Sequence, residues 1–279
     1  MLTPGRILLS VALLGFGSLC LLYVDFVNSL EPVPSWIPAY EVLAVVNGLM
    51  LVAAGVFILL GLRTGAAAGM VAVFLALWIV LLHVPSAFTN PILLRSPWWI
   101  RTFESLALIG GALTLAGLDR DPVRLSWIRI GRIAFGVSMP VFGTLHLIYP
   151  ESTASLVPPW YPWPMFWAYF TGLAQIAGGA AIAIGILPRL AAILAGTMYG
   201  TWALTLHIPR IWCRLYGPCE FLDAPVGLET SRGGLTSLFV VIGMSGAAWI
   251  VAGALARFRV LHGEPFTADP RPTARSPHE

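Results

Sequence analysis

Three histidines are the residues in this chain best placed to do chemistry. His83 and His207 each stand two residues before a proline, and His146 stands about one helical turn before Pro150. A neutral imidazole donates one hydrogen bond and accepts another. That suits the carbonyl of a quinone, or another small polar ligand. Gln175 falls in the middle of an apolar run and could orient the same molecule, while Glu151 could relay protons to it. The expected ligand-binding set is therefore His146, Gln175, His207 and Glu151. Two histidines and a distant carboxylate make an incomplete ligand set, so no metal site is expected. Taken singly, each histidine also fits an interfacial side chain whose polar tip reaches water.

Cys213 and Cys219 frame the segment CRLYGPC, with Gly217-Pro218 marking a turn between them. A close pair outside the cytoplasm reads as a structural disulfide, with a redox-active pair as the alternative. Arg101 and Glu104 lie three apart and can pair on one helix face, which reads as an interfacial, topology-setting pair. CxxC, HExxH, Walker and GxGxxG patterns are absent from the chain, so catalysis of the soluble type has no support.

The elements that must carry these residues follow from composition. The chain has 279 residues, of which 58% are hydrophobic and 10% charged. Soluble domains carry about 25% charged residues, so this chain could not cover itself with polar surface in water. Eight apolar stretches, Ile7–Phe26, Ala39–Leu62, Ala66–Val84, Phe103–Leu118, Ile133–Tyr149, Met165–Leu187, Leu190–Ile208 and Leu235–Ala256, are read as transmembrane helices. They do not alternate as barrel strands would. The expected fold is all-α and polytopic.

An internal repeat organises the eight. Gly5-Arg6-Ile7 matches Gly131-Arg132-Ile133 and Gly17 matches Gly143, both at an offset of 126 residues. VPSWIP at Val33–Pro38 matches VPPWYP at Val157–Pro162, and Trp78, His83 and Pro85 match Trp202, His207 and Pro209, all at an offset of 124. Asp25 aligns with Glu151. Four spans per copy is an even number, so both copies enter the membrane from one side as parallel repeats. The expected division is a first repeat over 1–120, a linker over 121–130, a second repeat over 131–258 and a disordered tail over 259–279. Helices 3 and 7 carry small residues every fourth position (Ala68, Ala72, Ala76 and Ala192, Gly196, Gly200), which permits close backbone approach.

All 16 basic residues are arginine. Nine of those outside the distal tail fall on the side of the two termini and five on the other side, which predicts cytoplasmic termini in an inner membrane. No basic cluster suggests nucleic acid. The expected partner is the lipid bilayer, with a membrane redox protein as a second. The two copies differ where chemistry is expected: Cys20 aligns with His146 and Leu51 with Gln175, leaving His83 alone in copy one.

From Gly131 to Arg210 the chain resembles the DoxX family of small bacterial and archaeal membrane proteins. The resemblance rests on an arginine-led helix with Gly143 and His146, the VPPWYP loop, Thr171-Gly172 with Gln175 and Gly178-Gly179, then Arg189 and a helix ending in His207-Ile208-Pro209. It implies a four-helix unit, here doubled. The family name comes from a subunit of a thiosulfate:quinone oxidoreductase, and other members are linked to thiol and oxidative-stress handling. The resemblance thus implies a redox-linked subunit interacting with quinone or a small thiol or sulfur compound. A non-catalytic assembly partner and a small-molecule transporter are the competing readings.

Overall fold

The computed structural model describes residues 1–27, 30–85, 98–120, 122–216 and 228–261. These residues form helices and no strand. In chain order the helices are α1 (Leu2–Tyr23), α2 (Tyr40–Leu60), α3 (Thr64–Trp78), α4 (Trp98–Leu118), α5 (Leu125–Ile148), the short α6 (Pro150–Ala154), α7 (Pro164–Ile184), α8 (Pro188–Trp202), α9 (Ile208–Tyr216) and α10 (Leu228–Leu261). Helices α3 and α8 each run on into a π-helical turn, Ile79–His83 and Ala203–His207. Single π-turns of this kind occur often at functional sites.

Among the described residues, six helical segments are long and apolar enough to cross a membrane: Leu2–Tyr23, Tyr40–Leu60, Thr64–His83, Leu125–Ile148, Pro164–Ile184 and Arg232–Arg257. Two further expected spans, α4 and α8 with its π-turn, do not reach that apolarity. The reason in α4 is its place in the bundle. Its residues from Ala107 to Ala112 are all buried by neighbouring helices, as are Ser105 and Thr114, so it can carry those hydroxyls away from lipid, while Glu104 is half-buried. Helix α5 begins at Leu125, within the stretch 121–130. Most of the expected tail lies outside the described residues.

The helices pack as a ring. Helix α1 packs on α2, α2 on α3 and α3 on α4; α5 packs on α7, α7 on α8 and α8 on α10. The ring closes through α4 against α5 and α10 against α1, and α4 and α10 meet inside it. Each fourth helix therefore packs on the first helix of the other half.

Matching local devices hold the two halves. The Arg6 guanidinium donates to the Ile58 carbonyl at 3.0 Å, and that of Arg132 to the Ile182 carbonyl at 2.5 Å. Both arginines place a cation on the free carbonyls ending α2 and α7, where the helix dipole is negative. Gly61 and Gly185 follow at φ 76° and 91°, and non-glycine residues adopt positive φ at Ala39 and Trp163 and at Arg63 and Leu187. All three pairs keep the 124-residue offset. The helix crossings recur too: Gly17 lies against Gly48, and Gly143 against Gly172.

Between the halves, Arg232 on α10 pairs with Asp25 at 2.8 Å and donates to the Phe26 carbonyl at 2.9 Å. The Tyr40 hydroxyl donates to the same aspartate. Burial works against the Asp25 carboxylate, but these hydrogen bonds and the Arg232 charge outweigh it and hold the carboxyl below its usual range.

Candidate functional site

His146 ends α5 and faces α7 because two glycines let these helices touch. A Cβ on Gly172 would lie 2.9 Å from the Cβ of His146. At this closeness the imidazole Nδ1 lies 3.0 Å from the Thr171 hydroxyl oxygen. That hydroxyl donates its single hydrogen to the Trp167 carbonyl at 2.7 Å. It can therefore only accept from His146, which fixes the proton on Nδ1 and leaves Nε2 as an acceptor.

Gln175 sits one turn along α7 from Thr171, with its Nε2 at 3.4 Å from the His146 Nε2. Its Oε1 accepts from the Tyr199 hydroxyl at 3.0 Å. The polar groups thus form one directed chain: Tyr199 donates to Gln175, Gln175 to His146, His146 to Thr171, and Thr171 to the backbone. The Trp202 ring stacks on His146 with centroids 5.9 Å apart and meets Tyr199 edge-on at 5.4 Å. Gln175 and Tyr199 are each only 1% exposed. A buried chain with every link satisfied holds a single arrangement.

This chain lines a cavity of about 980 Å³. His146, Gln175 and His207 all contribute to its wall, as do Thr171, Tyr199, Trp202 and Glu104. The rest is largely apolar, including Met139, Phe142, Phe170, Leu194, Met198, Val240 and Met244. Along α8 the lining runs from Leu187 to His207, about 30 Å of helix rise. His207 ends the π-turn at one end of this groove. Glu151 stands apart: it is exposed on α6 and is not among the cavity-lining residues. The carboxyl at the cavity is Glu104, which the sequence had placed in an interfacial pair.

The residues of the first half that align with these in sequence are arranged differently. His83 is 1% exposed; its Nε2 lies 3.0 Å from the Leu30 carbonyl and its Nδ1 3.0 Å from the Thr102 hydroxyl. Both nitrogens are engaged, so this histidine ties the α1–α2 loop to α4. Cys20, the free buried cysteine, stands where copy two has His146. Asn47, aligned with Thr171, donates to the Glu31 carboxyl at 2.6 Å and to the Cys20 sulfur at 3.5 Å. Leucines 51 and 75 replace Gln175 and Tyr199.

Tyr199 and Glu31 escaped the sequence reading, and Glu104 was read as half of an interfacial pair. Tyr199 and Glu104 sit in helices whose apolar context hides a polar face, and Glu31 lies in a loop. One signal was available: Thr171 and Gln175 are four apart and share a helix face. Cys213 is buried and disulfide-bonded, while its expected partner Cys219 lies outside the described residues. The described residues hold no group of three or more metal-ligating side chains.

No curated protein and no solved structure matches the chain. The DoxX family model matches residues 127–208, a segment that contains His146, Thr171, Gln175, Tyr199, Trp202 and His207. Over that segment the chain carries a DoxX domain, set within a multi-pass helical membrane protein.

Proposed function

We propose that this protein is a redox-linked membrane subunit that binds a lipid-soluble quinone in its second repeat. The observation that carries this reading is the directed chain Tyr199–Gln175–His146–Thr171 set in the wall of an apolar groove as long as a bilayer core is thick. A quinone with an isoprenoid tail has that form, a ring with two carbonyl acceptors on a long apolar chain. The second hydrogen of the Gln175 amide is not used by the chain and can go to a carbonyl. A small thiol or sulfur compound would leave most of the groove unfilled, so the geometry favours quinone between these two.

The test uses the full chain in lipid nanodiscs. Solvent extraction and mass spectrometry should find an isoprenoid quinone with the purified protein, and a decyl-tailed benzoquinone should quench tryptophan fluorescence saturably. His146→Ala should weaken that binding more than tenfold, about 1.4 kcal/mol, with the protein still monodisperse. His83→Ala should leave it within about twofold, because that side chain bonds Leu30 and Thr102 in the other half. Absence of both copurified quinone and saturable quenching would favour the assembly-partner reading.

The proposed topology is eight spans in two parallel four-helix repeats, with both termini in the cytoplasm. It is supported by the arginine distribution and by the paired helix crossings and arginine caps. Reporter fusions after Arg120 and Arg257 should report cytoplasm and one after Ser155 the outside. The inverse pattern would move the histidines to the cytoplasmic face.

A further inference from the structure

The cavity lies in the second repeat, yet one of its polar walls comes from the first. Glu104 is on α4, which packs on α3, α5 and α10, whereas Gln175 and Tyr199 are on α7 and α8. The ring order sets α4 across the cavity from those two helices, with α5 and α10 as flanks. Glu104 lines the cavity, and its carboxyl is near enough to the Tyr199 hydroxyl for the two to interact electrostatically. In the directed chain every polar group has a partner. Glu104 is not one of the hydrogen-bonded links of that chain, and Arg101, three residues earlier on α4, is the charge beside it. Ionisable side chains at membrane depth mark ligand or proton sites far more often than structural ones.

We propose that Glu104, supplied by the first repeat, is the second hydrogen-bonding residue for the ligand of the second repeat, gripping the side of the headgroup opposite Gln175. This rests on the quinone reading above. The two carbonyls of a quinone ring point in opposite directions, so holding both requires donors on different walls, and Gln175 and Glu104 line the cavity from α7 and α4, on different sides of the helix ring. A carboxyl donates only in its protonated form, so a carbonyl bound here keeps a proton beside it. The matched DoxX segment begins after Glu104. The site is then completed by the doubled chain: its imidazole, amide and phenol come from one repeat and its acid from the other.

The experiment compares Glu104→Leu and Glu104→Gln with the unmodified chain in nanodiscs, reading binding of the decyl-tailed benzoquinone from pH 5.5 to 9. Infrared difference spectra on adding the quinone provide a second readout. Glu104→Gln keeps a donor and should bind within about threefold with less pH dependence. Glu104→Leu should bind at least tenfold more weakly. A carboxyl band that shifts with quinone and vanishes in Glu104→Gln completes the expected result. If Glu104→Leu binds as the unmodified chain does and no carboxyl band responds, the assignment is overturned while the quinone reading stands. If the unmodified chain fails to bind, the quinone reading is overturned and this assignment with it.

Discussion

Replacing Gly143 with leucine is expected to abolish the folded protein. A Cβ at Gly143 would stand 2.4 Å from the Gly172 carbonyl oxygen and 3.0 Å from the Ile176 backbone nitrogen. Both obstacles are helix backbone, which cannot rotate aside as a side chain can. Helices α5 and α7 would have to separate along their whole contact. Overpacking a core costs about 1–3 kcal/mol when side chains can give way, so the cost here should exceed about 3 kcal/mol. Separation would also pull His146 from Thr171 and Gln175, so any surviving fraction should lose the proposed quinone binding. Gly178→Ala is the control. Its added Cβ meets only the end of the flexible Met139 side chain, at 3.6 Å, and alanine favours helix over glycine by about 1 kcal/mol. Size-exclusion profiles and thermal melts in one detergent would decide. A Gly143→Leu protein melting within a few degrees of the unmodified chain would show that this crossing is not the constraint.

The same crossing shows what was legible in the sequence. Gly17 and Gly143 stood out as a repeated pair because a position needing close backbone approach admits little else. The terminal histidines, the arginine that opens each repeat and the second-helix boundaries were readable for a similar reason: each answers a local demand of a helix end. What stayed hidden depended on which helices become neighbours. Glu104 looked like one half of an i, i+3 pair with Arg101, and nothing in its own helix indicates that α4 borders the cavity walled by α5, α7 and α8. Tyr199 reads as an aromatic in an apolar run until α7 places Gln175 opposite it. Glu151 reads as a proton relay because it lies five residues after His146. But Pro150 starts a short helix that leaves Glu151 exposed, while Asp25 is bound by Arg232 and Tyr40.

Glu31 is expected to make the protein less stable as pH rises, by roughly 4 kcal/mol between pH 5 and 8. The stretch between Gly17 and Val33 is two residues longer than the aligned stretch between Gly143 and Val157, and its described residues after α1 fold into the bundle. Val27, Leu30 and Glu31 are all buried, and Glu31 is only 1% exposed. The Leu30 and Glu31 amides donate back to the Val27 carbonyl at 2.8 and 2.9 Å, which turns the carboxyl inward to Asn47. Burial pushes the Glu31 carboxyl up to about 8 from an ordinary 4.5. Below about 4.5 both folded and unfolded chains hold the proton, and this group leaves stability unchanged. Between about 4.5 and 8 the unfolded chain releases it while the folded chain keeps it. Each pH unit then costs about 1.4 kcal/mol. Above about 8 both are ionised and the loss levels off. Asp25 has the opposite sign: its depressed carboxyl contributes stability that is lost as pH falls through its folded value, below this window. Glu31→Gln keeps an acceptor for Asn47 and removes the proton, so it should flatten the profile. Reversible unfolding in mixed detergent micelles at pH 5, 6.5 and 8 would measure the slope. Equal slopes for Glu31→Gln and the unmodified chain would mean that the loop opens readily enough for Glu31 to ionise in water, and that His83 and Asn47 do not hold it closed.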